Sequence, residues 1–285
     1  MRNEKNSSNR SRGDIGQVLL EHLKGLDYDV VAIDLNVKHL KDRRNRFACD
    51  LTNLGNLCSV LKDCDAIVHL AAHPGGNGAS QSYIFENNMM SSYNVFEAAA
   101  ILGINTIVAA SSTNAAGNDC NVDTHYKYLP LDEAHSSHPD EAYGLAKLLT
   151  EKVADGYVLR YPDMKVISLR LPYIYFDDHS KCLSQNPKKE PSLYTWLHVQ
   201  EVVMVIGLAL KAGLPGHEVF YVQADETTSA RDTMDLMKDF FPGLNIREAI
   251  PGRKSPISNE KAKRLLKWVP DPKYQEELNA KKPSE

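Results

Sequence analysis

Cysteine is scarce in this chain of 285 residues: five, at positions 49, 58, 64, 120 and 182. The number is odd and no Cys-x-x-Cys spacing occurs, so neither a disulfide framework nor a thiolate zinc site is expected. The thiols read as reduced packing residues of a cytoplasmic protein. No apolar run approaches the ~18 residues that span a bilayer, and the basic N-terminus lacks the apolar stretch of a secretory leader. With 33 basic and 37 acidic residues the net charge is −4, and no basic stripe is present. The Arg43–Arg46 cluster reads as a solvated loop, so no nucleic-acid partner is expected. The sharpest shortage is at the start. Residues 1–8, MRNEKNSS, contain one apolar residue, Met1.

What is present is ordinary for a globular chain, 42% hydrophobic and 25% charged, with length for one large domain and a smaller lobe. Apolar periodicity alternates between helical and strand-like segments. Residues 15–25, 54–62, 86–102 and 141–161 have helical spacing. Residues 29–35, 65–72, 104–112 and 165–174 are short β-branched runs. This order predicts an α/β fold, a doubly wound parallel sheet of Rossmann type covered by helices on both faces. Residues 196–213 predict a further helix, 217–223 a strand, and 230–241 and 258–268 two helices, the second with an N-cap. The sheet unit is expected over 1–175 with 196–223 returning to it, a smaller substrate lobe over 176–195 and 224–285, and a frayed tail over 270–285.

Three features carry chemistry. In AYGLAKLL, Tyr143 and Lys147 are four residues apart and share one helix face. A neighbouring ammonium favours phenolate, which predicts a lowered tyrosine pKa and a general acid/base for a hydroxyl becoming a carbonyl. The alternative is a surface tyrosine beside a surface lysine. Ser112, in SST, ends the 104–112 strand, where ligands bind in doubly wound sheets; the plainer reading is a turn-forming hydroxyl. Asp34 lies 18 residues beyond Gly16, the spacing of an acid that binds the ribose of NAD and repels the 2′-phosphate of NADP. Asp50 and Leu51 could flank an adenine, and Ala71 and Ala72 could let a cofactor lie close, or all four could be strand-end turn residues. His125, His135 and His138 share a loop but lack companions at ligand spacing, so no metal is expected. His69 and His73 flank LAA. His198 could meet a sugar or pack in the core.

Taken together, GDIG, AIDL, CDLTN, DAIVHLAA, NNMMSSYNVFEAA, VAASSTNAAG, YLPLDE with AYGLAK, ISLRLPYIY and ISNEKAKRLLKWVPD resemble the extended short-chain dehydrogenase/reductase family, in its NAD-dependent epimerase/dehydratase branch, over roughly residues 13–270. The resemblance implies Ser112, Tyr143 and Lys147 as the catalytic trio. It implies NAD among Gly13, Asp14, Ile15, Gly16, Asp34, Asp50, Leu51, Leu70, Ala71, Ala72, Asn88, Ser111, Tyr143, Lys147 and Pro172. Substrate would lie near His73, Thr113, Asn114 and His198. It implies hydride transfer from a carbon of a sugar or nucleotide sugar, with Tyr143 taking the hydroxyl proton, and a homodimer through 86–102 and 141–161. Thr113-Asn114 stands where sugar-nucleotide dehydratases place an Asp-Glu pair. YTWLHVQEVV and SSTN are similar to uronate dehydrogenases, which leaves uronate or aldose oxidation as an alternative. Pro191 stands where that group has an arginine, with Lys188 and Lys189 as conceivable substitutes. Arg253 could contact a substrate phosphate or be a surface charge.

The family's first strand precedes T-G-x-x-G-x-I-G. Aligned on Gly13, Ile15 and Gly16, that threonine is Asn9 and the first glycine is Arg10, so the strand falls on the polar residues 1–8. A central strand buried on both faces is normally a continuous apolar run, and burying Asn3, Glu4, Lys5 and Asn6 would leave polar groups unpaired. Residues 1–8 are therefore not expected to form a good central strand. Three readings stand: a truncated or misassigned start, a repurposed non-catalytic member with impaired cofactor binding, or a polar segment seated in the slot.

Overall fold

A computed structural model describes residues 14–37, 45–75, 78–118, 126–176 and 191–280. The expectations for residues 1–8, Asn9, Arg10, Gly13, His125, Lys188 and Lys189 lie outside the described residues. In chain order the elements are α1 (Asp14–Gly25), β1 (Ala32–Asp34), β2 (Arg46–Ala48), α2 (Leu54–Leu61), β3 (Ala66–His69), α3 (Gln81–Leu102) and β4 (Thr106–Ser112). They continue with β5 (Tyr128–Leu129), α4 (Ala142–Arg160), β6 (Lys165–Leu171), β7 (Tyr173–Tyr175), β8 (Trp196–His198), α5 (Val199–Lys211) and β9 (Gly216–Tyr221). The last are α6 (Thr233–Phe240), β10 (Asn245–Ile246), α7 (Glu260–Leu266) and α8 (Pro272–Ala280).

The sheet is parallel, ordered β3-β4-β6-β9, with β1 and β2 as a second parallel pair. No described strand joins β1 to β3, yet both pieces bury residues in the same two cores. Alternation along the strands sends neighbours to opposite faces. Val108 and Ile167 face a core closed by α1, α5 and α7; Ile107 and Val166 face one closed by α2, α3 and α4. Val30 joins the first core with Val68 and Leu70, and Ile33 joins the second with Ile67. This α/β sheet with helices on both faces is the expected Rossmann-type fold.

Helix ends follow local chemistry. The Ser80 hydroxyl accepts from Tyr83 N at 3.2 Å at the start of α3, which begins five residues before the predicted boundary, and Gly103 closes it at φ 72°, a conformation that suits glycine. Three sequence expectations are corrected. Residues 196–198 form β8, paired with β7, before α5 begins. The tail is not frayed throughout, because Tyr274 and Leu278 on α8 are buried. Asn259 precedes α7 but its side chain makes no cap; it turns inward to Gln223 O (3.0 Å) and Asp225 Oδ1 (2.9 Å). A third apolar cluster joins Leu129, Leu131 and Leu193 to Leu236, Met237, Ile250 and Ile257, so residues near 129 pack with the C-terminal elements. Ala262, Leu266 and Trp268 pack instead into the sheet core. No described helix is long and apolar enough to cross a membrane.

Candidate active site

At the carboxyl end of β4 the chain turns through a short 3₁₀ helix, Thr113–Ala116, whose first turn is capped by Ser112: its Oγ accepts from Asn114 N at 3.1 Å. The start of α4 packs on this turn. Glu141 caps α4, its carboxylate accepting from Tyr143 N (2.7 Å) and Gly144 N, which orients the first helical residues toward the strand end. Gly144 makes the approach possible. A Cβ there would lie 2.5 Å from the Asn114 carbonyl oxygen and 3.0 Å from the Pro139 Cβ. Gly144→Ala is therefore expected to destabilise the fold by about 1–3 kcal/mol by overpacking and to displace Tyr143; thermal unfolding checks the first effect.

The structure brings Ser112, Tyr143 and Lys147 together. The Tyr143 phenol lies close enough to the Ser112 side chain to be influenced by it. The Lys147 ammonium lies 5.7 Å from the Tyr143 ring centroid and donates to the Ala110 carbonyl at 2.6 Å. The expected lowering of the Tyr143 pKa is corrected. Burial pushes it up to about 12, with the Ser112 hydroxyl acting downward and Glu141 acting upward. Burial also brings Lys147 down to about 8, against the opposing pull of Glu151. The physical reason is desolvation, which sequence spacing does not reveal. His69, 3% exposed, meets Ser92 Oγ at 3.1 Å. Burial, with the nearby Lys147 charge, lowers its pKa to about 3, so its imidazole is neutral at pH 7.

The other site residues separate into those at open strand ends and those whose polar groups hold the scaffold. Asp34, Asp50, Leu51, Ala71, Ala72 and His73 all follow or end parallel strands at the same edge as Ser112. Asp34 Oδ1 accepts from Asn36 N at 2.9 Å. Asp50 Oδ1 accepts from Thr52 N (2.9 Å) and Thr52 Oγ1 (2.7 Å), and these bonds hold its carboxyl below the usual range. Leu70 and Ile15 are partly buried and pack on the first core; Asp14 opens α1. Gly16 lies inside α1, where an added Cβ would meet no described atom within 4 Å. Pro172 is buried between β6 and β7, and Thr113 is 2% exposed.

Three of the expected site residues also hold the scaffold. The Asn88 amide clamps the backbone of His73, Oδ1 accepting from His73 N at 2.7 Å and Nδ2 donating to His73 O at 2.9 Å, and so shapes the loop after β3. Ser111 Oγ donates to Glu151 Oε1 at 2.6 Å. His198, 1% exposed, accepts from Gln200 N at 3.3 Å and stacks on Tyr274 with ring centroids 4.0 Å apart, so it packs α8 onto α5. Arg253 is also engaged. It pairs with Glu226, and its NH1 donates to Asn279 Oδ1 at 3.0 Å.

Glu201, in the same region, is 2% exposed and accepts from Asp271 N at 2.7 Å. Burial raises its pKa to about 7, the hydrogen bond opposing. The folded state then binds a proton between pH ~4.5 and ~7 that the unfolded state does not, so the group destabilises the fold as pH rises through that window. Glu201→Gln is expected to exceed wild type by about 2–3 kcal/mol at pH 8, the difference vanishing below pH ~4.5, as read by denaturant unfolding across pH.

Sequence reasoning missed a buried group beneath the site. Arg170 on β6 donates from Nε and NH2 to the Glu151 carboxylate at 2.9 and 2.8 Å. It also donates to Tyr221 OH (3.2 Å) and Ser137 Oγ (3.3 Å). The signal available was the four-residue period itself, since Glu151 continues Tyr143 and Lys147 along one face. Asp155 continues it again, accepting from His217 Nδ1 at 2.7 Å, while His217 Nε2 lies 2.9 Å from Ser168 Oγ. This has the order of a Ser–His–Asp triad, but Ser168 is 1% exposed and cannot meet a substrate. Among the described residues no group of three or more His, Cys, Asp or Glu could hold a metal ion.

The arrangement can bind a hydroxyl between Ser112 and Tyr143 and move its proton, beside parallel strand ends whose small residues and Asp34 suit a dinucleotide. Comparison with known proteins gives the same direction. The chain is 27% identical over 223 residues to a uronate dehydrogenase of Pseudomonas putida, covering 76% of this chain and 75% of that one. It is 36% identical over 111 residues to the GDP-mannose 3,5-epimerase of Arabidopsis thaliana, covering 38% and 29%. The structure of a UDP-N-acetylglucosamine 4-epimerase from Bacillus cereus matches over 90% of this chain and 89% of that one, with TM-score 0.66 and 23% identity. The NAD dependent epimerase/dehydratase family model matches residues 11–181. With the parallel sheet and the Ser112–Tyr143–Lys147 cluster in place, the chain belongs to the NAD dependent epimerase/dehydratase family.

Proposed function

We propose that this protein oxidises a sugar that is not attached to a nucleotide, a uronate or an aldose, with Ser112, Tyr143 and Lys147 as its catalytic residues. The observation that carries the reading is the meeting of Ser112, at the carboxyl end of β4, with Tyr143 at the start of α4 and Lys147 one turn further along, 5.7 Å from the Tyr143 ring. Support for an unlinked sugar comes from coverage. The uronate dehydrogenase matches along three quarters of both chains, whereas the GDP-mannose epimerase matches along less than a third of its own length.

NAD, when bound, supplies the acceptor for a hydride from the substrate carbon. Asp34, Asp50, Leu51 and the Leu70–Ala72 segment would hold it, Asp34 at the adenosine ribose. Ser112 orients the substrate hydroxyl. Tyr143 first releases its own proton to solvent, and the phenolate so formed, stabilised by the Lys147 ammonium, takes the proton of the substrate hydroxyl. The Ala110 carbonyl fixes that ammonium. His73, Thr113 and Asn114 border the substrate. The cluster containing Leu129, Leu236 and Ile257 forms the substrate side, and the sheet unit forms the cofactor side. Exposed Tyr83, Met90, Tyr93 and Ile101 on α3, with Leu145 and Leu159 on α4, support a homodimer through these helices. Cys49, Cys58 and Cys64 are free, which supports a reducing, cytoplasmic setting.

The test is absorbance at 340 nm with NAD and a panel of uronates, aldoses and UDP-sugars. NADH formation with a uronate or an aldose supports the reading. Epimerisation of a UDP-sugar without net NADH would overturn it in favour of a nucleotide-sugar epimerase.

A further inference from the structure

Three consecutive residues of β4 meet three successive turns of α4. Ser112 faces Tyr143, the Ala110 carbonyl accepts from Lys147 at 2.6 Å, and Ser111 Oγ donates to Glu151 at 2.6 Å. The third bond is the one that nothing in the chemistry above uses, and it is the most heavily built. Glu151 is 3% exposed and Arg170 4%. Arg170 pairs in register with Ser111 across β4 and β6 and with Tyr221 across β6 and β9. One row across three strands therefore converges on one carboxylate. Burying an ion pair this deep costs several kcal/mol of desolvation, and an apolar pair of similar volume often serves stability as well. Stability alone is thus a weak reason for the pair.

We infer that Glu151 is a positioning residue for the Ser112–Tyr143–Lys147 group: clamped between Ser111 and Arg170, it sets the register of α4 against β4 and keeps a negative charge one turn from the Lys147 ammonium. The inference rests on the proposed roles of those three residues. The groups that face the Lys147 ammonium are Tyr143 and Glu151 on its own helix and the Ala110 carbonyl and His69 on the sheet. His69 is neutral, so Glu151 is the anionic member of that set. Losing it would weaken the hold of Lys147 on its proton, and an uncharged lysine no longer favours the Tyr143 phenolate.

The test follows the Lys147 Nζ resonance of the full-length protein labelled with 15N,13C-lysine, assigned by its loss in Lys147→Arg, as pH is varied. Glu151→Gln is expected to lower the Lys147 titration by about 0.5 pH unit or more, while Glu151→Asp, which keeps the charge, holds it within about 0.2. A Glu151→Gln titration within about 0.2 of wild type overturns the inference. Should that variant fail to fold, Glu151→Gln/Arg170→Met leaves no unpaired buried charge; because it removes a cation with the nearer anion, a smaller fall of the Lys147 titration is expected, and one unchanged or raised overturns the inference. The readout needs no substrate, so absence of sugar oxidation would sink the proposed activity and leave this result readable. In an active enzyme, Glu151→Gln is also expected to pull the alkaline limb of the kcat profile to lower pH, with the KM for NAD within about twofold; a limb that stays put counts against it.

Discussion

Tyr143→Phe is expected to lower turnover about 10²–10⁴-fold and to leave the Kd for NAD within about twofold. The substitution removes one oxygen from a half-buried ring. It takes away the proposed acceptor of the substrate proton, which lies beside Ser112, and little else. With burial placing the phenol at about 12, Tyr143 is protonated at neutral pH, and oxidation requires the Lys147 ammonium and the bound substrate to make phenolate accessible in the transition state. Turnover should therefore rise with pH on its acid side and fall where Lys147, held near 8, loses its proton. Steady-state kinetics across pH 6–10 for wild type and Tyr143→Phe check both statements. Equal kcat in the two proteins would remove Tyr143 from the chemistry.

Arg170→Ala is expected to destabilise the fold by about 3–5 kcal/mol, because it leaves the Glu151 carboxylate buried without its bidentate partner. It also orphans the Tyr221 hydroxyl and opens space between α4 and β6. Replacing both members, Glu151→Leu with Arg170→Met, should recover most of that loss, since no charge is then left unpaired. Urea unfolding of wild type, single and double variants measures the three stabilities. A double variant no more stable than Arg170→Ala would show that the pair itself, and not its desolvated half, carries the stability.

The elements with long apolar periods were legible from the chain. β4 and β6 read as β-branched runs because both faces are buried, and Tyr143 and Lys147 read as a pair because a helix brings i and i+4 together. The same rule reaches Glu151 and Asp155, yet charged residues on a helix normally face solvent. Only the fold shows that the polar stripe of α4 faces the sheet, where Arg170 and His217 await it. Arg170 was equally hard to read inside KVISLRL, because a lone charge in an apolar strand does not announce its partner. Asn88 and Ser111 sit where ligand contacts are expected, and the sequence did not show that each also holds the scaffold, through His73 and Glu151. α8 escaped notice since Tyr274 and Leu278 are its only buried apolar residues. The Tyr143 pKa was read in the wrong direction because spacing reports the neighbouring charge and is silent about burial.

The glycine turn remains the place where residue chemistry bears hardest on function. Arg10 stands at a position where the family has glycine, and in the proposed reading Asp34, Asp50 and the strand ends hold the dinucleotide. Calorimetric titration of the intact chain with NAD and with NADP tests this most directly. The account predicts saturable NAD binding at one site per chain, with NADP weaker by about tenfold or more, because Asp34 meets a ribose hydroxyl but repels a 2′-phosphate. No heat of NAD binding, or NADP bound as tightly as NAD, would contradict it.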